Sequence, residues 1–207
     1  MFDIGKKELK ILKRLNTPQK IQDFLNKIKM NFEEKGDTNL SPMAVLKKNT
    51  CHCLEGAALA ALAMRVNGYP PLLVDLKANK NDFDHVIAVY KKDGKWGAIS
   101  KTNHAVLRYR EPVYNSIREL VMSYFHEYTD DLGRKNLRSF SLPVNLEVFD
   151  KRGWMTTKEE IDYLPEYLDA VKHFSILNRK QIRNLRRADK VELDAGDVVE
   201  WKPKRKK

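Results

Sequence analysis

The hydrophobic pattern of the chain centres on residues 50–68, the most apolar window of a strongly charged sequence. From Leu54 to Val66, alanines, leucines and a methionine follow one another, so the window is apolar on nearly all sides. These residue types are strong helix formers, and a helix that is apolar all round lies inside a protein. We therefore predict a central, buried helix. It should end at Asn67-Gly68, because glycine readily adopts the left-handed conformation found after helix C-termini.

After this helix the pattern changes to short apolar strands. Two prolines precede residues 72–76, and two further apolar runs flank the polar stretch around Asp93-Gly94. Asp-Gly is a preferred two-residue turn in β-hairpins. The pattern predicts antiparallel strands at 72–76, 85–91 and 95–101, the last two joined as a hairpin.

Helical patterns flank this core on both sides. The first is an amphipathic stretch that opens the chain. Each of the others begins with an N-terminal signal, which is either Thr or Ser followed by proline, or a capping box. The predicted helices begin within residues 1–15 and then near Thr17, Ser41, Ser116, Thr157 and Asn178.

The last residues have a different character. Two strand-like pieces, 191–193 and 198–201, precede the basic tail 202–207, which we expect to be disordered. A chain of 207 residues is long enough for one well-filled core. We predict a single α+β domain over residues 1–201, in which the central helix packs on an antiparallel sheet and helices from both ends cover it.

The charge balance allows acidic partners. The chain carries 39 Lys and Arg against 28 Asp and Glu, a net charge of +11. Such a surface permits weak, nonspecific nucleic-acid binding through phosphate contacts, and a nucleic-acid-binding protein is one alternative function. The residues proposed for this surface are the basic tail and five cations on one predicted helix, namely Arg179, Lys180, Arg183, Arg186 and Arg187.

The two cysteines, Cys51 and Cys53, are one residue apart, a spacing that suits a structural disulfide poorly. We expect free thiols in a reducing, cytoplasmic compartment. No apolar run approaches the length of a membrane span, and the N-terminus lacks an apolar signal core, so no membrane partner is expected.

The candidate catalytic residues include a cysteine at the start of the central helix. Cys53 lies where unpaired N–H groups and the helix dipole favour a thiolate, whereas Cys51 and His52 are interpreted as turn residues. His85 begins a hairpin strand, and the predicted register places it opposite Thr102 with Ser100 diagonal on the same face. Ser100, Thr102 or Asn103 would then orient the ring of His85.

The order Cys53, Gly68-Tyr-Pro, His85 and Asp93-Gly94-Lys-Trp96 resembles the transglutaminase-like branch of papain-like cysteine enzymes over about residues 40–105. The resemblance implies a papain-like core with Cys53 as nucleophile and His85 as general base. It also implies hydrolysis or transfer of an amide or acyl group of a peptide, protein or small amide, with no cofactor and no metal. The family usually has an orienting Asp four residues after the Trp; this chain has Ser100, so Ser100 or Asn103 would take that role.

Two other interpretations of the cysteines remain open. Taken alone, Cys53 would be interpreted as a small buried hydrophobic residue, as most free cysteines are. Cys51, Cys53, His85 and His104 are residue types that bind zinc, although Cys-x-Cys is a poor match to the usual ligand spacing.

Overall fold

The structure is a computed structural model that describes residues 4–34 and 36–203, and it shows a mixed α+β fold with helices packed on a mostly antiparallel sheet. Within these residues no helix combines the length and the apolar character needed to cross a bilayer. The helices are α1 (Lys6–Arg14), α2 (Pro18–Lys27), α3 (Pro42–Lys48), α4 (Cys53–Val66), α5 (Ile117–Met122), α6 (Tyr163–Ala170), α7 (Arg179–Arg183) and α8 (Lys190–Gly196), with a 3-10 helix at Leu146–Arg152. The strands are β1 (Lys29–Met30), β2 (Thr50–Cys51), β3 (Leu72–Ala78), β4 (His85–Lys92), β5 (Lys95–Ile99), β6 (Arg110–Tyr114), β7 (Leu137–Ser141), β8 (Val144–Asn145) and β9 (His173–Ser175).

The main sheet has the strand order β6-β5-β4-β3-β7-β9, with β8 also paired to β3, and every pairing in it is antiparallel. Lys92 pairs with Lys95 across the Asp93-Gly94 turn, as the hairpin prediction requires. Both turn residues have positive φ, 51° and 79°, the conformation that makes Asp-Gly favourable there. Strand β5 ends at Ile99, earlier than predicted.

Helix α4 is the central helix that the sequence predicts. Its side chains from Leu54 to Met64 are all buried, and they pack between one face of the sheet and helices α1, α2 and α3. At its end, the Asn67 amide donates to Leu12 O and Leu15 O, at 2.9 and 3.1 Å. These bonds fasten the end of α1 to the end of the buried helix.

The opposite face of the sheet carries a second apolar cluster. Ile87, Val89 and Ala98 of the hairpin point into it, where they meet Leu120 and Tyr124 in and after α5. Because both faces are covered, the strands of the hairpin are apolar on both sides, which explains their nearly continuous apolar sequence.

Two predictions near the C-terminus are wrong. Residues 191–193 lie in helix α8, which starts with a capping box: Asp189 N–H donates to Glu192 Oε2 at 2.7 Å. Residues 198–201 form no strand and contribute one isolated bridge, between Val199 and His104. At 191–193 the helix cap outweighed the strand propensity of three residues. At 198–201 no neighbouring strand among the described residues offers a continuous row of backbone hydrogen-bond partners, so strand propensity alone does not form a strand. Of the predicted tail, residues 204–207 lie outside the described part of the chain.

The later helices also differ from the prediction in detail. The stretch beginning at Thr157 does not start a helix at once, since α6 begins only at Tyr163. The predicted cap at Asn178 is confirmed: its side chain accepts from Gln181 N–H at 2.9 Å. Helix α7 nevertheless leaves its one apolar side chain, Ile182, 36% exposed.

Close packing between α4 and the end of the hairpin depends on Gly56. A Cβ at this position would lie 2.5 Å from Lys101 Cβ and 3.4 Å from Cys51 Sγ. Lys101 itself is buried, and its ammonium donates to Leu25 O and Ile28 O at the end of α2, at 3.1 and 2.5 Å. Its Cβ therefore has little freedom to move away.

We expect Gly56→Ala to lower the free energy of unfolding by about 1–3 kcal/mol, because overpacking outweighs the roughly 1 kcal/mol that alanine gains in helix propensity. Chemical denaturation measures the change. Gly196→Ala in α8 is the matched control, since a Cβ there meets nothing within 4 Å. If the two substitutions had the same effect, the close contact with Lys101 would not be a constraint on the fold.

Candidate active site

The N-terminus of α4 is held by the buried carboxylate of Glu55, which is 0% exposed. It accepts hydrogen bonds from His52 N–H, Leu40 N–H and the Thr38 hydroxyl, each at 2.9 Å, and from the Asn31 amide at 3.1 Å. The positive end of the helix dipole adds to this stabilisation of the carboxylate. Glu55 thereby ties the segment 31–40 across the start of the helix.

Sequence reasoning missed Glu55, although a signal was present. It is the acidic residue in the first turn of an otherwise apolar helix, at the third helical position, where an acidic side chain can reach back to the N-cap amide. A charged residue inside a buried helix needs several partners, so its presence indicates a hydrogen-bonded site at that end of the helix.

Cys53 is the first residue of α4 and is partly exposed. Burial raises the pKa of its thiol, but hydrogen bonds with His52 and His85 and the positive charge of both rings outweigh that effect and hold the pKa well below the ordinary thiol value. Cys51 has the opposite setting, since it is fully buried and burial raises its pKa to about 12. Two thiols one residue apart therefore have opposite reactivities, because only the thiolate is a strong nucleophile.

His52 contributes to the site, although the sequence suggested only a turn residue. Its Nε2 lies 2.8 Å from Thr38 O, 3.6 Å from Glu55 and 3.8 Å from Glu33. Burial lowers the pKa of His52, but its hydrogen bond to Cys53 and the negative charges of Cys53 and Glu55 raise the pKa to about 9. The ring is therefore cationic near neutral pH and favours a thiolate at Cys53.

The ring of His85 is oriented by Ser100. Its Nε2 lies 2.8 Å from Ser100 Oγ, and that hydroxyl donates its proton to Leu107 O at 2.6 Å. Since a carbonyl only accepts, the Ser100 hydroxyl must accept from His85 at the other contact, which places a proton on Nε2. Nδ1 is then the ring atom left to exchange a proton with the Cys53 thiol.

Ser100 is itself fixed by the side chain of Gln22 in α2. The Gln22 amide donates to Ser100 O at 2.8 Å and accepts from Ser100 N–H at 2.9 Å, so it replaces the strand partner that Ser100 lacks beyond the end of β5. Gln22 is separated from Ser100 by 78 residues, and nothing in its local sequence distinguishes it from other helical glutamines.

The other two candidates for orienting His85 have different partners. Asn103 bonds the backbone of Trp201 through both ends of its amide, donating to Trp201 O at 3.0 Å and accepting from Trp201 N–H at 2.9 Å. Thr102 accepts from His104 N–H at 3.1 Å. The prediction of Asn103 as an orienting residue is therefore corrected: it anchors the C-terminal segment, because the chain turns away from β4 after Ser100.

The zinc interpretation does not fit the geometry. His104 is exposed and its Nδ1 is hydrogen-bonded to Gly196 O at 2.7 Å. Over residues 4–34 and 36–203, the only His, Cys, Asp and Glu side chains gathered closely enough to share a metal ion are three aspartates on other elements. The four proposed zinc ligands do not form such a group.

The proposed nucleic-acid surface is also less basic than its sequence suggests. Helix α7 ends at Arg183, so Arg186 and Arg187 do not continue its face. Arg186 instead pairs with Asp189 at 2.6 Å, and the following helix carries two acidic residues and one lysine. The predicted row of five cations on one helix is therefore wrong.

A cleft of about 510 Å³ adjoins the N-terminus of α4. Its wall includes Glu33 and Thr38, the same residues that contact His52, and Trp201 forms part of its far side. The indole Nε1 of Trp201 is buried and has no hydrogen-bond partner in the described part of the chain. Cys53 and His85 are not among the residues that line this cleft.

We expect Glu55→Gln to lower the free energy of unfolding by about 2–4 kcal/mol, because the new NH₂ group would face buried donors. Denaturant titration measures the loss. Glu159→Gln, at an exposed carboxylate, is the control and should change stability by less than about 0.5 kcal/mol. A neutral effect of Glu55→Gln would mean that this carboxylate does not hold the helix terminus.

We expect iodoacetamide to modify Cys53 and leave Cys51 unmodified in the folded protein. Because the pKa of Cys53 is lowered, its labelling rate should already be near its plateau at about pH 6, where an ordinary thiol is almost fully protonated. Peptide mapping by mass spectrometry identifies the labelled residue, and Cys53→Ser is the control. A rate that keeps rising up to about pH 9 would show that Cys53 is an ordinary thiol.

Comparison with protein-family models and with curated proteins finds no match to this chain.

Proposed function

We propose that the protein is a cysteine enzyme with a transglutaminase-like, papain-like core that hydrolyses or transfers an amide or acyl group. The observation that carries the proposal is the ordered chain Cys53, His85, Ser100 and Leu107. In it the thiol pKa is lowered and the ring is held with Nδ1 free for the thiol. A nucleophile, a base and an orienting group in this order define an activated thiol.

The reaction proceeds in two halves. The Cys53 thiolate attacks the carbonyl carbon of the amide, and the C–N bond breaks as His85 gives its Nδ1 proton to the leaving amine. The product is a thioester on Cys53. His85 then removes a proton from water or from an incoming amine, which attacks the thioester and returns the thiolate; water gives hydrolysis and an amine gives transfer.

The start of α4 supplies stabilisation for the oxyanion that forms during each attack. The N–H of Cys53 occupies the first helical position, where backbone amides have no carbonyl partner within the helix. Together with the helix dipole it provides one donor for developing negative charge. A cationic His52 beside the thiol adds positive charge on the same side.

The proposed substrate follows from the chemistry of the thiol, because a thiolate attacks the carbonyl carbon of an amide or acyl group. The proposed substrates are therefore peptides, proteins or small amides, the class that the resemblance implies.

The test uses a chloroacetamide acyl mimic as the probe. His85→Ala should slow modification of Cys53 by about 100-fold or more, because the base that activates the thiol is lost. Ser100→Ala should slow it by about tenfold, because the ring loses its orienting partner while Nδ1 remains. Rates are measured by intact-protein mass spectrometry.

Thr102→Val is the matched control, since this neighbouring hydroxyl bonds only backbone in the described residues. It should react at the wild-type rate. The proposal fails if His85→Ala reacts as fast as wild type, or if Ser100→Ala and Thr102→Val slow the reaction equally. Circular dichroism checks that each variant is folded.

A further inference from the structure

Three aspartates converge on the sheet, away from the thiol site. Asp75 lies in β3, Asp84 directly precedes β4 and Asp169 is near the end of α6. One carboxylate oxygen from each lies within 4.8 Å of the other two. Like charges at this separation repel, so the cluster requires a compensating positive charge.

Asp75 is the buried member, 2% exposed. Its Oδ2 lies 3.0 Å from His173 Nε2, but its Oδ1 is buried and has no hydrogen-bond partner in the described residues. A buried carboxylate oxygen without a donor is costly, and such atoms in proteins normally meet water, a donor or a cation. Since Oδ2 is engaged by His173, Oδ1 is the oxygen left to take a further partner.

Lys77 currently supplies part of the compensation. Its Nζ lies 2.7 Å from Asp169 and 3.9 Å from Asp84, and its side chain is 35% exposed. His173 faces Asp75, so the Lys77 ammonium is shared by Asp84 and Asp169, and one ammonium between two carboxylates leaves an excess of negative charge. The long, partly exposed stem of Lys77 can turn to solvent, so its ammonium can be exchanged for another cation.

We propose that Asp75, Asp84 and Asp169 bind a hard divalent cation, best fitted by Ca²⁺, which displaces the ammonium of Lys77. Oxygen-only ligands select Mg²⁺, Ca²⁺ or Mn²⁺ over softer metals. Ca²⁺ binds several carboxylates in flexible geometry, whereas Mg²⁺ requires near-ideal octahedral geometry and usually binds through only one or two carboxylates. Asp84 and Asp169, with side chains 34% and 64% exposed, leave room for water ligands.

Binding here would fasten the loop that leads to His85. Asp84 already accepts from Ala78 N–H at 2.7 Å, which closes the loop between β3 and β4. A cation shared with Asp75 and Asp169 joins this loop to the sheet and to α6. The expected consequence is greater stability of the folded chain, independent of any chemistry at Cys53.

The experiment is calorimetric titration of the whole chain with CaCl₂ and MgCl₂ at constant ionic strength, with thermal unfolding measured in parallel. Wild type should bind Ca²⁺ saturably, and its melting temperature should rise with occupancy. Lys77→Met should bind Ca²⁺ at least about threefold more tightly, because no ammonium competes for the carboxylates. Asp75→Asn should lose saturable binding.

Asp169→Asn provides a second test at an exposed position, in case Asp75→Asn does not fold, and it should also lose binding. Asp93→Asn is the matched control: it removes one carboxylate from the hairpin turn, where Asn-Gly is equally favourable, and should bind as wild type does. The proposal is overturned if neither wild type nor Lys77→Met binds Ca²⁺ saturably, or if Asp169→Asn binds as well as wild type. Tighter binding of Mg²⁺ than of Ca²⁺ would overturn the assignment of the ion.

Discussion

The hydrogen bonding of the Glu55 carboxylate is the constraint on which the candidate site depends. A carboxylate that is fully buried must find donors for both oxygens, and here the donors come from three separate parts of the segment 31–40 and from the N-cap amide. These bonds fix the first turn of α4 relative to the chain that crosses it. The position of the Cys53 thiol and the wall of the adjoining cleft follow from that arrangement.

The same helix terminus explains why two neighbouring cysteines differ. Cys51 belongs to the short strand β2 and faces the core, where burial keeps its thiol protonated. Cys53, two residues later, has entered the helix and lies beside two imidazole rings. A change from extended to helical backbone between them is enough to turn one side chain inward and leave the other partly exposed.

Ser100 is a neutral hydrogen-bond partner of the His85 ring. A hydroxyl has one proton to donate, and Leu107 O takes it, so the hydroxyl can act only as an acceptor toward the ring. The Leu107 carbonyl sets the direction of that hydrogen bond, and the hydrogen bonds of Gln22 to the Ser100 backbone hold the hydroxyl in place. Together they determine which ring nitrogen is left to face the thiol. A serine carries no negative charge that would stabilise an imidazolium. The negative charges that stabilise protonated imidazole rings at this site are those of the Cys53 thiolate and of Glu55, which lies near His52.

The sequence by itself determined the buried helix and the hairpin register, because these follow from local hydrophobic periodicity and from the Asp-Gly turn. It did not determine the role of Asn103, the charge of His52 or the hold of Gln22 on Ser100, since each depends on a partner brought from a distant element. The strand-like run at 191–193 became a helix for a similar reason, as a capping box outweighed three residues of strand propensity. Local sequence patterns reflect the conformational preferences of the backbone. The hydrogen-bond partner of a buried polar atom depends instead on which distant residues the tertiary fold brings next to it.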